Sequence, residues 1–169
     1  MAPYVRPSGS WVALVTPFDK HDKVDFGAFK VLIDRQIKYG SGALFILGSA
    51  GESTLLAQEE KREIIREVIK MTKGRIPTFF SANAANTRDS VELARFAEAE
   101  GADGVIFMVP SYLLLPKNAA FQHLDTCMGS VGIACGIYNN PSRNGVMIEA
   151  ETIWELMQRH PNFIVDKEA

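Results

Sequence analysis

Cysteine is scarce in this chain, with only Cys127 and Cys135 among its 169 residues. They do not form a CxxC pair, and His21, His123 and His160 are scattered. A disulfide framework and a metal site are therefore not expected; two free core thiols in a reducing cytoplasm are. Charge of one sign is also lacking, since 18 Lys+Arg against 20 Asp+Glu leave a formal net charge of −2. That balance gives no electrostatic footprint for nucleic acid or an anionic membrane as partner. No apolar run approaches the roughly 18–20 residues of a membrane span. The opening MAPYVRPSGSWVALV lacks the basic-then-apolar order of a secretory signal. Glycine is missing where a dinucleotide fold would need it. The first apolar run leads into TPFDKHDK, not into a G-x-G-x-x-G turn.

What is present is a repeating unit. With 47% hydrophobic and 22% charged residues, the chain has an ordinary globular composition and enough length for a sizeable core. Short apolar runs begin at Trp11, Ala43, Pro77, Gly104, Gly132 and Asn162. Each unit is roughly 30 residues long, the size of a strand, a helix and two short loops. The runs are nearly continuous in apolar character, as parallel strands covered on both faces are. Between them lie segments of helical period. Phe26, Phe29, Ile33 and Ile37 share one face, with Asp25 as cap and Gly40 as stop. Ile64, Ile65, Val68, Ile69 and Met71 make a second apolar face, with charges filling the other side and Gly74 ending it. Leu93, Phe96 and Ala97 repeat the pattern before Gly101, and weaker helices are expected over Ala119–Met128 and Glu149–Arg159.

Strand and helix in strict alternation predict a parallel α/β sheet. Without the dinucleotide fingerprint, the (β/α)8 barrel is favoured over an open doubly wound sheet. A complete barrel needs about 250 residues, so residues 1–169 are read as a single barrel domain of about six units lacking its C-terminal ones. The sequence is accordingly expected to be part of a longer polypeptide. Barrel enzymes carry their reactive groups at the C-terminal ends of the strands. Standing there are GSAGES (Gly48 to Ser53), PSYLLLP with Ser111 and Tyr112, YNNPSRNG with Tyr138 and Arg143, and finally Lys167 in NFIVDKEA. Gly48 and Gly51 permit unusual backbone angles, and successive N–H groups in such a turn form an anion-binding nest. The turn lacks the Gly-Lys-Ser/Thr ending of a P-loop, which disfavours nucleotide phosphate.

Together, VALVTPF, GSAGES, YNNPSR and DKEA resemble the N-acetylneuraminate lyase/dihydrodipicolinate synthase family of class I, pyruvate-dependent aldolases, over nearly the whole chain. The resemblance implies a TIM barrel that needs no cofactor, with pyruvate and an aldehyde as substrates. It assigns the Schiff-base lysine to Lys167 and the proton-shuttling acid/base to Tyr138. It gives Ser49 the relay between Tyr138 and Tyr112, and the Ser49–Ala50 turn the pyruvate carboxylate. Tyr112 is implied to act across a tight dimer interface, hence a homodimer or homotetramer. Arg143 matches the arginine that holds the carboxylate of aspartate semialdehyde, as a guanidinium fork can, and this tilts the reading toward the synthase branch. Ala50, Ser111 and Asn144 depart from the family pattern. They leave open an N-acetylneuraminate lyase-like or 2-keto-3-deoxy sugar acid aldolase or dehydratase, and a non-catalytic barrel that binds a carboxylate.

The proposed nucleophile makes a demand on its surroundings. A lysine of ordinary pKa, about 10.4, is almost wholly protonated at neutral pH. Making it a free amine takes about 4 kcal/mol of preference for the neutral form, an effect within reach of burial. Phe163 to Val165 are expected to form the dry wall, while strand alternation turns Asp166 and Glu168 away from the barrel interior.

Overall fold

Six strands form one wholly parallel sheet in the order β1 to β6, so each neighbours its predecessor in sequence. The structure, a computed structural model, describes residues 4–169, so the first three letters of the opening stretch lie outside it. The strands are β1 Trp11–Ala13, β2 Ala43–Ile46, β3 Thr78–Ser81, β4 Gly104–Phe107, β5 Ala134–Asn139 and β6 Phe163–Glu168. An open doubly wound sheet reverses its order at a switch point, and none occurs here. The sheet is the curled half of a TIM barrel.

Five helices join the strands much as the periodicity predicts: α1 Phe26–Lys38, α2 Gln58–Thr72, α3 Thr87–Glu100, α4 Lys117–Met128 and, after a short α5 over Pro141–Asn144, α6 Ala150–Arg159. Asp25 caps α1 by accepting from the Ala28 N–H at 2.9 Å. Asn86 does the same for α3 from Asp89 at 2.9 Å, each satisfying one of the orphan donors of a first turn. Lys73 and Gly74 end α2 with left-handed backbone, and Gly101 ends α3 in the same way. One expectation for α2 is corrected. Lys61 belongs not to the solvated face but to the buried one, because it lies three, four and seven residues before Ile64, Ile65 and Val68.

Alternation along the strands divides the interior into two layers. Leu44, Ile46, Phe80, Val105, Phe107, Cys135 and Ile137 face the helices. Ala43, Phe45, Phe79, Ile106, Ala134 and Tyr138 form the inner layer, with Trp11, Ile164 and Val165 packed on it. The Trp11 and Phe79 rings sit 4.6 Å apart. Cys127 and Cys135 are both buried free thiols, and burial pushes each thiol pKa up to about 12.

The last strand contains the feature that orients the site. Cys135 pairs with Phe163 but Gly136 pairs with Val165, so β6 carries one extra residue at Ile164. A bulge exchanges the faces of all residues beyond it on the strand. Phe163 therefore packs into the helix-facing core, while Val165 lies against the inner layer. A Cβ at Gly136 would collide with Val165. The expected dry wall is thus corrected: Ile164 and Val165 contribute to it and Phe163 does not.

Asp166 and Glu168 point outward, as alternation requires. They line a groove of about 390 Å³ with Trp154 and Met157 of α6. Solvent reaches Asp166, yet its carboxyl is pushed up to about 7, first by desolvation and then by the hydrogen bond and charge of Glu168. The native state then holds a proton that the unfolded chain releases near pH 4. Stability should fall as pH rises from about 4 through about 7. Asp166→Asn is expected to flatten that part of the curve of denaturation midpoint against pH. A slope identical to that of the parent chain would contradict the assignment.

Candidate active site

Tyr138 and Lys167 are direct register partners on β5 and β6. With the bulge setting the phase of β6, both turn inward, and Lys167 Nζ lies 3.5 Å from the centre of the Tyr138 ring. That is a close cation–π geometry. Tyr138 is buried, with 7% of its surface exposed. Burial raises its phenol pKa, but the Asn140 and Ser49 side chains and the Lys167 charge act the other way and hold it below the ordinary tyrosine value. The Asn140 amide donates to the phenol oxygen at 2.6 Å and is held in turn by the Ser142 hydroxyl, which donates to Asn140 Oδ1 at 2.6 Å. Lys167 itself is half-buried and not sealed by the expected dry wall, because β6 is the outermost strand of the described sheet.

The GSAGES turn follows β2. It forms two 3₁₀ turns, Ser49–Gly51 and Ser53–Leu55, and corrects the reading of its glycines. Gly48 has φ −77°, whereas Leu47 and Glu52 carry the left-handed angles, 60° and 54°. The glycines are needed for space: a Cβ on Gly48 would meet the Phe45 ring at 2.7 Å, and one on Gly51 would crowd Leu14 O and Thr16 Oγ1 at 3.2 and 3.3 Å. Non-glycine residues held in left-handed backbone store strain. A buried bond maintains it here: Thr16 Oγ1 donates to Gly51 O at 2.6 Å. Gly51 and Glu52 use their N–H groups inside the turn. Those of Ser49 and Ala50 find no partner among the described residues.

Ser49, Tyr138 and Arg143 line one pocket of about 330 Å³, together with Gly48, Thr54, Asn83, Met108 and Ser111. Arg143 stands on α5, which begins at Pro141, a favoured first helical residue, and ends at Gly145 with φ 74°. Its guanidinium is exposed and makes no ion pair among the described residues. Ala50 is exposed beside Ser49. Tyr112 is not brought to the pocket. It is 91% exposed, with φ 80°, on a loop whose Leu114 packs against Gly145 so closely that a Cβ there would collide with it.

Three participants were not singled out from the sequence. Thr16 bonds across to Gly51, Asn140 bonds back to Tyr138 and Asn83 lines the pocket; only the YNNPSR segment carried a signal for one of them, Asn140.

The sequence model of the dihydrodipicolinate synthetase family matches residues 6–169. The 4-hydroxy-tetrahydrodipicolinate synthases of Nitratidesulfovibrio vulgaris (strain DP4) and Pseudomonas aeruginosa are each 36% identical over 162 residues, 96% of this chain and 55% of theirs. The crystal structure of dihydrodipicolinate synthase from Aquifex aeolicus superposes with a TM-score of 0.92 at 33% identity, over 98% of this chain and 55% of that one. A prophage protein of E. coli K12 from the dihydrodipicolinic acid synthase family, solved in complex with pyruvate, gives 0.92 at 29% identity, over 95% and 54%. The chain spans about half the length of the curated relatives it matches. Its parallel half-barrel, its paired tyrosine and lysine and a family match that runs to Ala169 converge on one result: the chain belongs to the dihydrodipicolinate synthetase family.

Proposed function

We propose that the residues at the strand ends carry a Schiff-base condensation of pyruvate with an aldehyde, with aspartate semialdehyde as the first candidate. The observation that carries this is the Lys167 amine held 3.5 Å over the Tyr138 ring. The Lys167 amine attacks the ketone carbon of pyruvate, the carbinolamine loses water, and an imine remains. Loss of a methyl proton gives the enamine, whose terminal carbon bonds to the aldehyde carbon while the aldehyde oxygen takes up a proton. Hydrolysis of the new imine releases product and restores the amine. Tyr138 gives and takes these protons, a role suited to a phenol whose pKa is lowered. The unpaired N–H groups of Ser49 and Ala50 receive the pyruvate carboxylate, and Arg143 receives that of the semialdehyde. A barrel that only bound a carboxylate would need neither the amine nor the phenol stacked on it.

Tyr112 acts in this reading across an interface between two copies. Leu113 and Leu114 next to it in the chain are 67% and 64% exposed, and Leu55 on the turn after β2 is 79% exposed, apolar surface of the kind that a two-fold contact covers. A homodimer, alone or within a homotetramer, supplies the relay from Ser49 to the partner's tyrosine. A cytoplasmic location suits the two free thiols.

Borohydride treatment in the presence of pyruvate should leave a reduced adduct on Lys167, visible by mass spectrometry of the peptide, and none in Lys167→Ala. No adduct on the parent chain would end the Schiff-base reading. Tyr138→Phe should slow turnover about 10²–10⁴-fold. Arg143→Ala should impair condensation with the semialdehyde far more than imine formation. Equal losses, or preferred turnover of N-acetylneuraminate or a 2-keto-3-deoxy sugar acid in parallel assays, would move the chain to another branch. Leu55→Asp with Leu113→Asp should reduce the sedimenting species to a monomer and abolish turnover while pyruvate still binds. An unchanged mass would remove the interface from the mechanism.

A further inference from the structure

His123 of α4 is buried, with 4% of its surface exposed, and both of its ring nitrogens are engaged by other elements. Nε2 lies 3.2 Å from the carbonyl oxygen of Met108, the first residue beyond β4. Nδ1 lies 2.9 Å from Thr87 Oγ1, on the first residue of α3. A carbonyl oxygen can only accept, so Nε2 carries the hydrogen and Nδ1 accepts from the threonine hydroxyl. One neutral tautomer therefore satisfies both bonds. Desolvation lowers the imidazole pKa, opposed in part by the bond to Met108. Cys127 Sγ lies 3.8 Å from Nε2, and a thiol pKa pushed up to about 12 leaves it uncharged, so it is a weak rival to the carbonyl.

The residues that the imidazole fixes face the candidate active site. Met108 and Ser111 line the pocket of Tyr138 and Arg143, and Met108 also packs on the inner layer of the barrel. The loop that follows stores strain, because Tyr112 and Leu114 hold left-handed backbone at φ 80° and 48°. Such a loop keeps one shape only where its ends are fastened. No other hydrogen bond to the Met108 carbonyl occurs among the described residues. We propose that His123 is a positioning residue: its Nε2–H bond to Met108 sets how the loop after β4 leaves the strand, and so the wall that Met108 and Ser111 present to the aldehyde. This role rests on the condensation proposed above and concerns its second substrate. Lys167, Tyr138, Ser49 and Ala50, which serve pyruvate in that reading, stand on other elements.

Two amide variants separate the two bonds. His123→Gln keeps a donor near the place of Nε2 and loses the bond to Thr87. His123→Asn keeps an acceptor near the place of Nδ1 and leaves the Met108 carbonyl bare. Steady-state kinetics should show KM for aspartate semialdehyde raised about three- to tenfold in His123→Asn, the worth of one net hydrogen bond, with kcat little changed. His123→Gln should stay near the parent, and borohydride should trap pyruvate on Lys167 equally in all three proteins. Amide hydrogen exchange over residues 109–115 should be faster in His123→Asn and unchanged in His123→Gln. An unchanged KM in His123→Asn would overturn the proposal. Equal losses in both variants would do the same, because the imidazole would then only fill space. A parent chain that traps no pyruvate fails the Schiff-base reading by itself; exchange then decides the tie to the loop, and equal rates in the two variants would overturn it.

Discussion

Lys167 can reach Tyr138 because β5 and β6 pair in a register that skips Ile164. Side chains of a strand alternate between faces, so one extra residue changes which face every later side chain takes. Given the place of Phe163 in the helix-facing core, strict alternation would have turned Lys167 toward the helices and Asp166 toward the barrel interior. The bulge lets an aromatic residue fill the outer core and an amine point inward four residues later. Gly136 makes room for it, since any side chain there would occupy the space of Val165.

Around that pair the polar groups form a chain of support. Ser142 holds Asn140, Asn140 holds the Tyr138 phenol, and the phenol lies under the Lys167 ammonium. Opposite, Thr16 in the loop after β1 ties down the 3₁₀ turn that presents Ser49. Tyr138 and Lys167 thus stand on strand ends, while Ser49 stands on a turn fastened by the loop after β1. That is how a parallel barrel combines a rigid frame with variable chemistry.

Much of this was readable in the letters. Six apolar runs mark six strands, and Asp25, Gly74 and Gly101 mark helix ends, because capping and periodicity are local. The pairing of Lys167 with Tyr138 was readable only through likeness to a family, since strand register is a property of two segments. The bulge at Ile164 was not readable, for the same reason. The glycines of GSAGES were read as conformational when they are steric, a distinction that depends on Phe45 and Thr16 lying close in space. Lys61 was assigned to solvent by its charge, although its spacing from Ile64, Ile65 and Val68 already put it on the apolar side. Residue type outweighed position in that reading, and position was the better guide. Tyr112 was placed at the site by the same likeness, yet it is 91% exposed in a single copy of the chain.

Gly145 has a consequence of its own. It ends the helix that carries Arg143, and Leu114 of the exposed loop rests on it. The exposed loop and the helix that carries Arg143 are therefore joined at one contact. A side chain at position 145 would have to displace Leu114, so the small size of this residue is what lets loop and helix end meet.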